Sequence, residues 1–210
     1  MVKISFAAGL ALALGLAAVP ALAQQGAAAP PPAVSKSPAA APAGTYNIDP
    51  NHASVVARIP HAGGVSYSVV RFGVAKAVLN WDPANAANIK LEATVDTKAH
   101  FDPIVYRIGP DAEQFLNVAK FPQATFVSKS VRQTGPAKAD VTGDITLLGV
   151  TKPATMQVEL VGAGKNNQGK PIVGFTGTMM LKRSDFGTPF LPNAIGNDVT
   201  VVLDGEFIGG

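Results

Sequence analysis

Apolar and polar positions alternate most clearly over residues 141–160. Val141, Gly143, Ile145 and Leu147 fall on one side, with Thr142, Asp144 and Thr146 on the other. Past Gly149 and Pro153 the alternation resumes, with Ala154, Met156, Val158 and Leu160 set against Thr155, Gln157 and Glu159. A period of two with one apolar side belongs to a strand with one dry face. The stretch therefore predicts two half-buried strands joined by a short Gly-containing turn. One hairpin can bury its apolar face only against more sheet or a helix, so the remaining segments decide the architecture.

Those segments are mostly further strands. Residues 46–48 and 54–59 read as short strands parted by Asp49-Pro50-Asn51, and His61-Ala62-Gly63-Gly64 is a second break. A long β-rich run over 65–81 carries Gly73 inside it, where a bulge or sharp bend is expected. Ile89, Leu91, Ala93 and Val95 alternate with Lys90, Glu92, Thr94 and Asp96. Strands are also predicted over 124–131, 172–182 and 199–207, with 162–171 as a polar hairpin loop. Between 97 and 122 the alternation stops. Pro110 and Asp111 followed by Ala112-Glu113-Gln114-Phe115-Leu116-Asn117 predict one short helix, with acidic residues near its positive end. Eight or so strands, one short helix and no repeat define an all-β chain, folded as an antiparallel barrel or sandwich.

Composition narrows the class. With 47% hydrophobic and 15% charged residues the chain is too apolar for disorder, and 210 residues suit one domain. The net charge of +3 is small and its Lys and Arg are scattered, which argues against nucleic acid as a partner. No Cys is present, so disulfides and thiolate metal sites are excluded. Residues 1–23 read as a cleavable signal peptide: Lys3, an apolar run from Phe6 to Val19, then Ala21-Leu22-Ala23 before a mature start at Gln24. Export to a periplasm is the expected localisation. Residues 24–44, rich in Ala and Pro, read as an extended linker, which leaves 45–208 as the folded domain.

Five motifs in register then carry a resemblance. They are Tyr46-Asn47-Ile48-Asp49-Pro50 with His52; His61-Ala62-Gly63; Phe115-Leu116-Asn117-Val118-Ala119-Lys120-Phe121-Pro122; the run from Gly143 to Pro153; and Arg183-Ser184-Asp185-Phe186-Gly187. Their order over 45–207 resembles the YceI-like family of periplasmic polyisoprenoid-binding proteins. Ala53 separates His52 from Ser54 where that family is expected to have His and Ser adjacent, which leaves a role for this Ser in question. The resemblance implies a lipocalin-like antiparallel eight-stranded β-barrel whose interior holds a long isoprenoid or similar fatty amphiphile. A quinone-like isoprenoid is a further possible guest, and no other cofactor is implied. Peripheral membrane contact and pairing of two barrels are compatible with it.

The residues themselves leave the interior open. An eight-stranded barrel is just wide enough to fill with side chains or to hold one slender guest. Small or flexible inward candidates (Ala93, Gly143, Ala154, Met156, Gly174, Gly177) stand beside bulky Phe72, Phe126 and Phe175. Phe115 and Phe121 bracket the expected helix and are expected to press inward as a lid, with Phe186 near the end of another strand. For a polar head, Arg183 with Asp185, and Arg58 with His61, sit at strand ends where a rim would gather them. A buried Arg donates in fork geometry to pyrophosphate or quinone-like oxygen, while an Arg link to Asp185 or to backbone would instead close the mouth. Catalytic chemistry finds no support. There is no Gly-x-Ser-x-Gly elbow, no His-Glu-x-x-His and no Cys nucleophile, and His52, His61 and His100 lack a ligand spacing. Asp185-Phe186-Gly187 matches a kinase metal triplet without its context and reads as a strand-ending turn. The expected function is therefore non-enzymatic carriage of a long-chain lipid in the cell envelope. An enzyme acting on that lipid, or a filled structural barrel, are the alternatives.

Overall fold

The structure, a computed structural model, describes residues 34–100, 115–188, 191 and 193–210. Eight long strands follow one another: β2 (Gly44–His61), β3 (Ser66–Trp81), β4 (Lys90–His100), β5 (Gln123–Gly135), β6 (Lys138–Leu147), β7 (Val150–Lys165), β8 (Pro171–Lys182) and β9 (Asp198–Gly209). Each pairs antiparallel with the next, and β9 returns to pair with β2, so the sheet closes into a barrel without an edge. A two-residue strand, β1 (Val34–Ser35), adds to the outside of β7 at Ala163 and Gly164.

The alternation read from the sequence is the barrel's inside and outside. In β6, Val141 and Ile145 are buried between half-buried Thr142, Asp144 and Thr146. In β2 the inward residues are Val55, Ala57 and Ile59, and in β9 they include Val199, Val201 and Phe207. The β6–β7 turn pairs Leu147 with Val150, leaving Leu148 and Gly149 at φ of 53° and 76°. Two consecutive positive φ values give the turn the twist that matches a tight antiparallel hairpin. Gly73 lies in β3 where the register with β4 shifts between Phe72 and Val74, as a bulge at that position predicts. The break expected at Asp49-Pro50-Asn51 is instead an irregularity inside the single strand β2, where its register with β9 jumps between Ile48 and Ala53. The polar loop between β7 and β8 is shorter than 162–171, because pairing of the two strands extends to Lys165 and Pro171.

Two expectations fall differently. Within the stretch read as linker, residues 34–43 pack on the barrel. Ala41 is fully buried, Pro42 O accepts a 2.7 Å hydrogen bond from the Tyr46 hydroxyl, and Lys36 pairs with Glu159. Small side chains and backbone pairing suffice to dock it, so no amphipathic pattern announced it. The helix expected from Pro110 to Asn117 lies mostly outside the described residues, and Phe115 and Leu116 are in a turn. Residues 1–23, read as a signal peptide, also lie outside them.

Candidate functional site

Strand alternation puts the connections at two ends. One end carries the β3–β4, β5–β6 and β7–β8 connections, together with the 3-10 turn Pro38–Ala40. The other carries the β2–β3 and β6–β7 turns, the segment before β5 and the 3-10 turn Arg183–Phe186. Two apolar chambers fill the space between. The first, about 200 Å³, lies toward the first end and is walled by Trp81, Ile89, Leu160, Phe175 and Phe207, with Pro38 and Pro136 at its margin. The second, about 180 Å³, lies toward the other end and is walled by Phe72, Phe126, Ile145, Met179, Phe186 and Val201, with Phe115 and Arg183. Val55, Leu91, Ala93, Val95, Met156 and Leu203 belong to both walls. The chambers therefore adjoin at a waist of six apolar side chains, and the two in a row make up the apolar channel of the barrel interior.

Small residues open this channel where the sheet would otherwise close it. A Cβ at Gly177 would stand 2.9 Å from the Met156 sulfur, and one at Gly143 would stand 2.8 Å from the Phe126 ring. At the first end Phe175 packs edge-on between Trp81 and Phe207, with ring centroids 5.6 and 6.3 Å away. Gly174 was expected to face inward. It alternates with the wall residues Phe175 and Gly177, so it faces outward.

The twelve candidate residues separate by position. Phe72, Ala93, Phe115, Phe126, Met156, Phe175, Arg183 and Phe186 line the channel. Four do not. Arg58 has the parity opposite to Val55, Ala57 and Ile59, so it is exposed, and its guanidinium lies 4.6 Å from the centre of the Tyr67 ring outside the barrel. His61 is half-buried at the rim, where it bridges to Ile195. Asp185 is exposed in the 3-10 turn before the left-handed Gly187. Phe121 is half-buried against the β6–β7 turn, close enough that a Cβ at Gly149 would sit 3.0 Å from its ring. Its backbone carbonyl accepts a 2.6 Å hydrogen bond from the Thr97 hydroxyl. An inward lid therefore forms at Phe115 and not at Phe121.

The polar groups near the second chamber already serve the frame. Arg183 Nε donates to Gly196 O at 3.0 Å, and its Nη2 to Ile195 O at 3.4 Å. Burial lowers the guanidinium's pKa from its ordinary value, yet an arginine stays charged. Its carbonyl in turn accepts from the Thr188 hydroxyl. These bonds tie the 183–188 turn to the strand leading into β9. Arg183 thus bonds to backbone at this end of the barrel. On the outside of the barrel, Asp49, His52 and Glu206 bring ligand-capable atoms within 4.8 Å of one another. His52 Nδ1 lies 2.8 Å from Asp49 Oδ2, and that hydrogen bond holds the Asp49 carboxyl below and the His52 imidazole above their ordinary pKa values.

A closed antiparallel eight-stranded barrel with an apolar axial channel is a lipocalin-like barrel. The family comparison makes this specific: the YceI-like domain model matches residues 46–207, and the chain belongs to that family. A UPF0312 protein of Vibrio parahaemolyticus is 33% identical over 98% of each chain. Among solved structures, Burkholderia cenocepacia BcnA superposes with a TM-score of 0.66 at 23% identity, covering 76% of this chain and 98% of that one. A polyisoprenoid-binding domain from Saccharophagus degradans, described as implicated in plant cell wall breakdown, gives 0.59 at 14% identity, covering 79% and 98%. At these identities the two structures show the shared fold.

The waist residues Ala93 and Met156 were found, whereas Trp81 and the waist residues Val55, Leu91, Val95 and Leu203 were missed as wall residues. Their inward parity was available from the sequence, but nothing in the pattern of one strand says which inward residues border space and which border one another.

Proposed function

We propose that this protein binds and carries a long-chain isoprenoid or similar amphiphilic lipid, without catalysis, in the bacterial cell envelope. The observation that carries the reading is the interior: two apolar chambers that adjoin at residues common to both walls, Ala93 and Met156 among them. Burying hydrocarbon there stabilises by roughly 0.8 kcal/mol per CH₂-sized group. Several isoprene units thus offset the ~4–15 kcal/mol cost of association without a charge. The fold shared with a polyisoprenoid-binding domain supports the same guest class. The signal-like residues 1–23 support an envelope location, with cleavage after Ala23. Lipid extraction of the purified protein followed by mass spectrometry tests the reading. A stoichiometric long-chain amphiphile recovered unchanged is the expected result. Conversion of that lipid on incubation would make the protein an enzyme, and recovery of none would leave a filled barrel.

A further inference from the structure

Apolar side chains gather on the outside of the barrel at the β2–β3 turn. Val65, at the end of that turn, is 88% exposed, and Tyr67 and Val69 follow it on the outer face of β3 at 52% and 46%. The strand register carries this face sideways: Val69 pairs with Arg58 of β2, Arg58 with Thr200 of β9, and Thr200 with Met180 of β8, which is 60% exposed. Contacts join the set. The Thr200 hydroxyl lies 3.2 Å from the Met180 sulfur, and the Arg58 guanidinium lies 4.6 Å from the centre of the Tyr67 ring. Apolar side chains exposed singly need no explanation, but a joined group marks a surface that meets an apolar partner. Two arginines supply the charge of this face: Arg58 and, in the next outward row, Arg71 opposite Val56. Among the described residues neither forms an ion pair. At the margin Lys182 and Asp198 pair with each other at 2.6 Å, and Asp185 is exposed in the turn beyond them. Asp204 stands two outward positions past Thr200, toward the other end of the barrel.

We propose that this face seats the protein on a membrane surface that carries anionic lipid. Val65, Val69 and Met180 enter the interfacial layer, and the Tyr67 ring stands at its boundary, where an apolar body with a polar tip is favoured. Arg58 and Arg71 lay their stems along the apolar side chains and donate to the phosphates of the anionic headgroups. A second copy of the chain is a poorer match, because a two-fold contact through this face sets its two arginines against two more. The closed barrel offers no strand edge there for a peptide to extend. The inner faces of the same strand segments, at Ile59, Val70, Met179 and Val199, line the second chamber. The seat therefore puts the second chamber, rather than the first, beside the membrane, and it holds whatever the channel carries.

The chain has no Cys, so a single introduced thiol reports one place. In the protein as purified from its own cell, Val65→Cys carries an environment-sensitive fluorophore at the β2–β3 turn. Gln168→Cys, exposed in the β7–β8 loop, carries the same fluorophore at the other end. Vesicles of phosphatidylcholine with roughly one-third phosphatidylglycerol are expected to shift the emission of the first label to the blue and to leave the second unchanged. Vesicles of phosphatidylcholine alone should bind about 10-fold more weakly, and the double variant Arg58→Gln, Arg71→Gln should lose about 10- to 30-fold in affinity for the anionic vesicles. All four positions are exposed, and circular dichroism confirms that the variants fold. A label at position 65 that stays in water, binding indifferent to lipid charge, or a double variant that binds as wild type does overturns the proposal. So does a dimer, formed without vesicles, that buries the label at position 65, since the face would then join two copies. Each of these leaves the carrier reading intact, because guest affinity is measured without vesicles.

Discussion

The ring tip of Phe126 reaches across to Gly143 on the neighbouring strand. A Cβ at Gly143 would stand 2.8 Å from Phe126 Cζ and closer still to Val127 O. Residues on paired strands ordinarily face each other through two side chains. Gly143 is registered with Ser128, and the ring of Phe126, whose own partner is Ile145, reaches diagonally across the place a Gly143 side chain would take. Gly143→Ala is expected to destabilise the barrel by about 1–3 kcal/mol, as overpacking of a close-packed interior does. Because the shorter contact is to backbone, adding Phe126→Ala does not restore stability. Urea denaturation of both variants checks this, and full recovery in the double variant would show that the ring alone sets the fit.

Phe121 and Phe186 separate a rim aromatic from a wall aromatic. Phe186 is 4% exposed and lines the second chamber, so Phe186→Ala should cost about 3–5 kcal/mol. Phe121 is half-buried against the β6–β7 turn and outside the channel. Its truncation should cost roughly 1 kcal/mol, about half of what full burial of such a ring contributes. Equal midpoint shifts in a denaturant titration would place both rings in the core.

These contrasts show what the sequence made legible. Wherever one face is dry and the other wet, as in Val141 to Leu147, alternation disclosed both the strand and the direction of its side chains. The outward position of Arg58 was readable on the same grounds, since Val55, Ala57 and Ile59 set the parity of β2. Proximity to a strand end outweighed parity in its assignment, and that was the error. The docking of 34–43 gave no signal, because Ala41 is buried through its small size and β1 pairs through backbone. Three-dimensional coincidences were beyond the pattern altogether. Glu206 meets Asp49 and His52 only because β9 closes on β2, and Trp81 meets the ring of Phe175 only because closure brings β8 across the barrel from β3.

The Asp49–His52 pair, with His52 exposed and Asp49 half-buried, predicts a pH dependence of defined sign. The hydrogen bond to Asp49, then its charge, and to a smaller extent the charge of Glu206, raise His52 above its ordinary 6.5. A raised folded-state pKa contributes stability that is complete below the unfolded value and is lost as pH rises through the folded one. Asp49, lowered from 3.8, contributes in the opposite sense and loses its share as pH falls through its folded value. Between these limits the pair is intact. A proton NMR titration should give His52 a midpoint above 6.5, and Asp49→Asn should bring it back down. The stability difference between wild type and Asp49→Asn should shrink as pH rises past that midpoint. A wild-type midpoint at or below 6.5 would show that the pair does not persist in solution.

Ala93 and Arg183 test whether guest binding depends on the waist or on the mouth. Ala93 belongs to the walls of both chambers, so its methyl group borders the place where they adjoin. Replacing it by Trp fills that path from an inward position of β4 without adding a charge or a turn. Ala93→Trp is therefore expected to weaken every long-chain guest by at least about 10-fold, whatever its head. Arg183 instead holds the carbonyls of Gly196 and Ile195. Arg183→Met leaves those carbonyls unmet at a cost of about 1–3 kcal/mol in stability. Its effect on affinity should be the same for a polyprenol, the matching hydrocarbon and the polyprenyl pyrophosphate, because the guanidinium acts through the frame. Binding titrations of both variants against the three guests, with circular dichroism to confirm folding, distinguish the roles. A selective loss of the pyrophosphate in Arg183→Met would make Arg183 a head-group contact, and undiminished binding in Ala93→Trp would place the tail outside the channel.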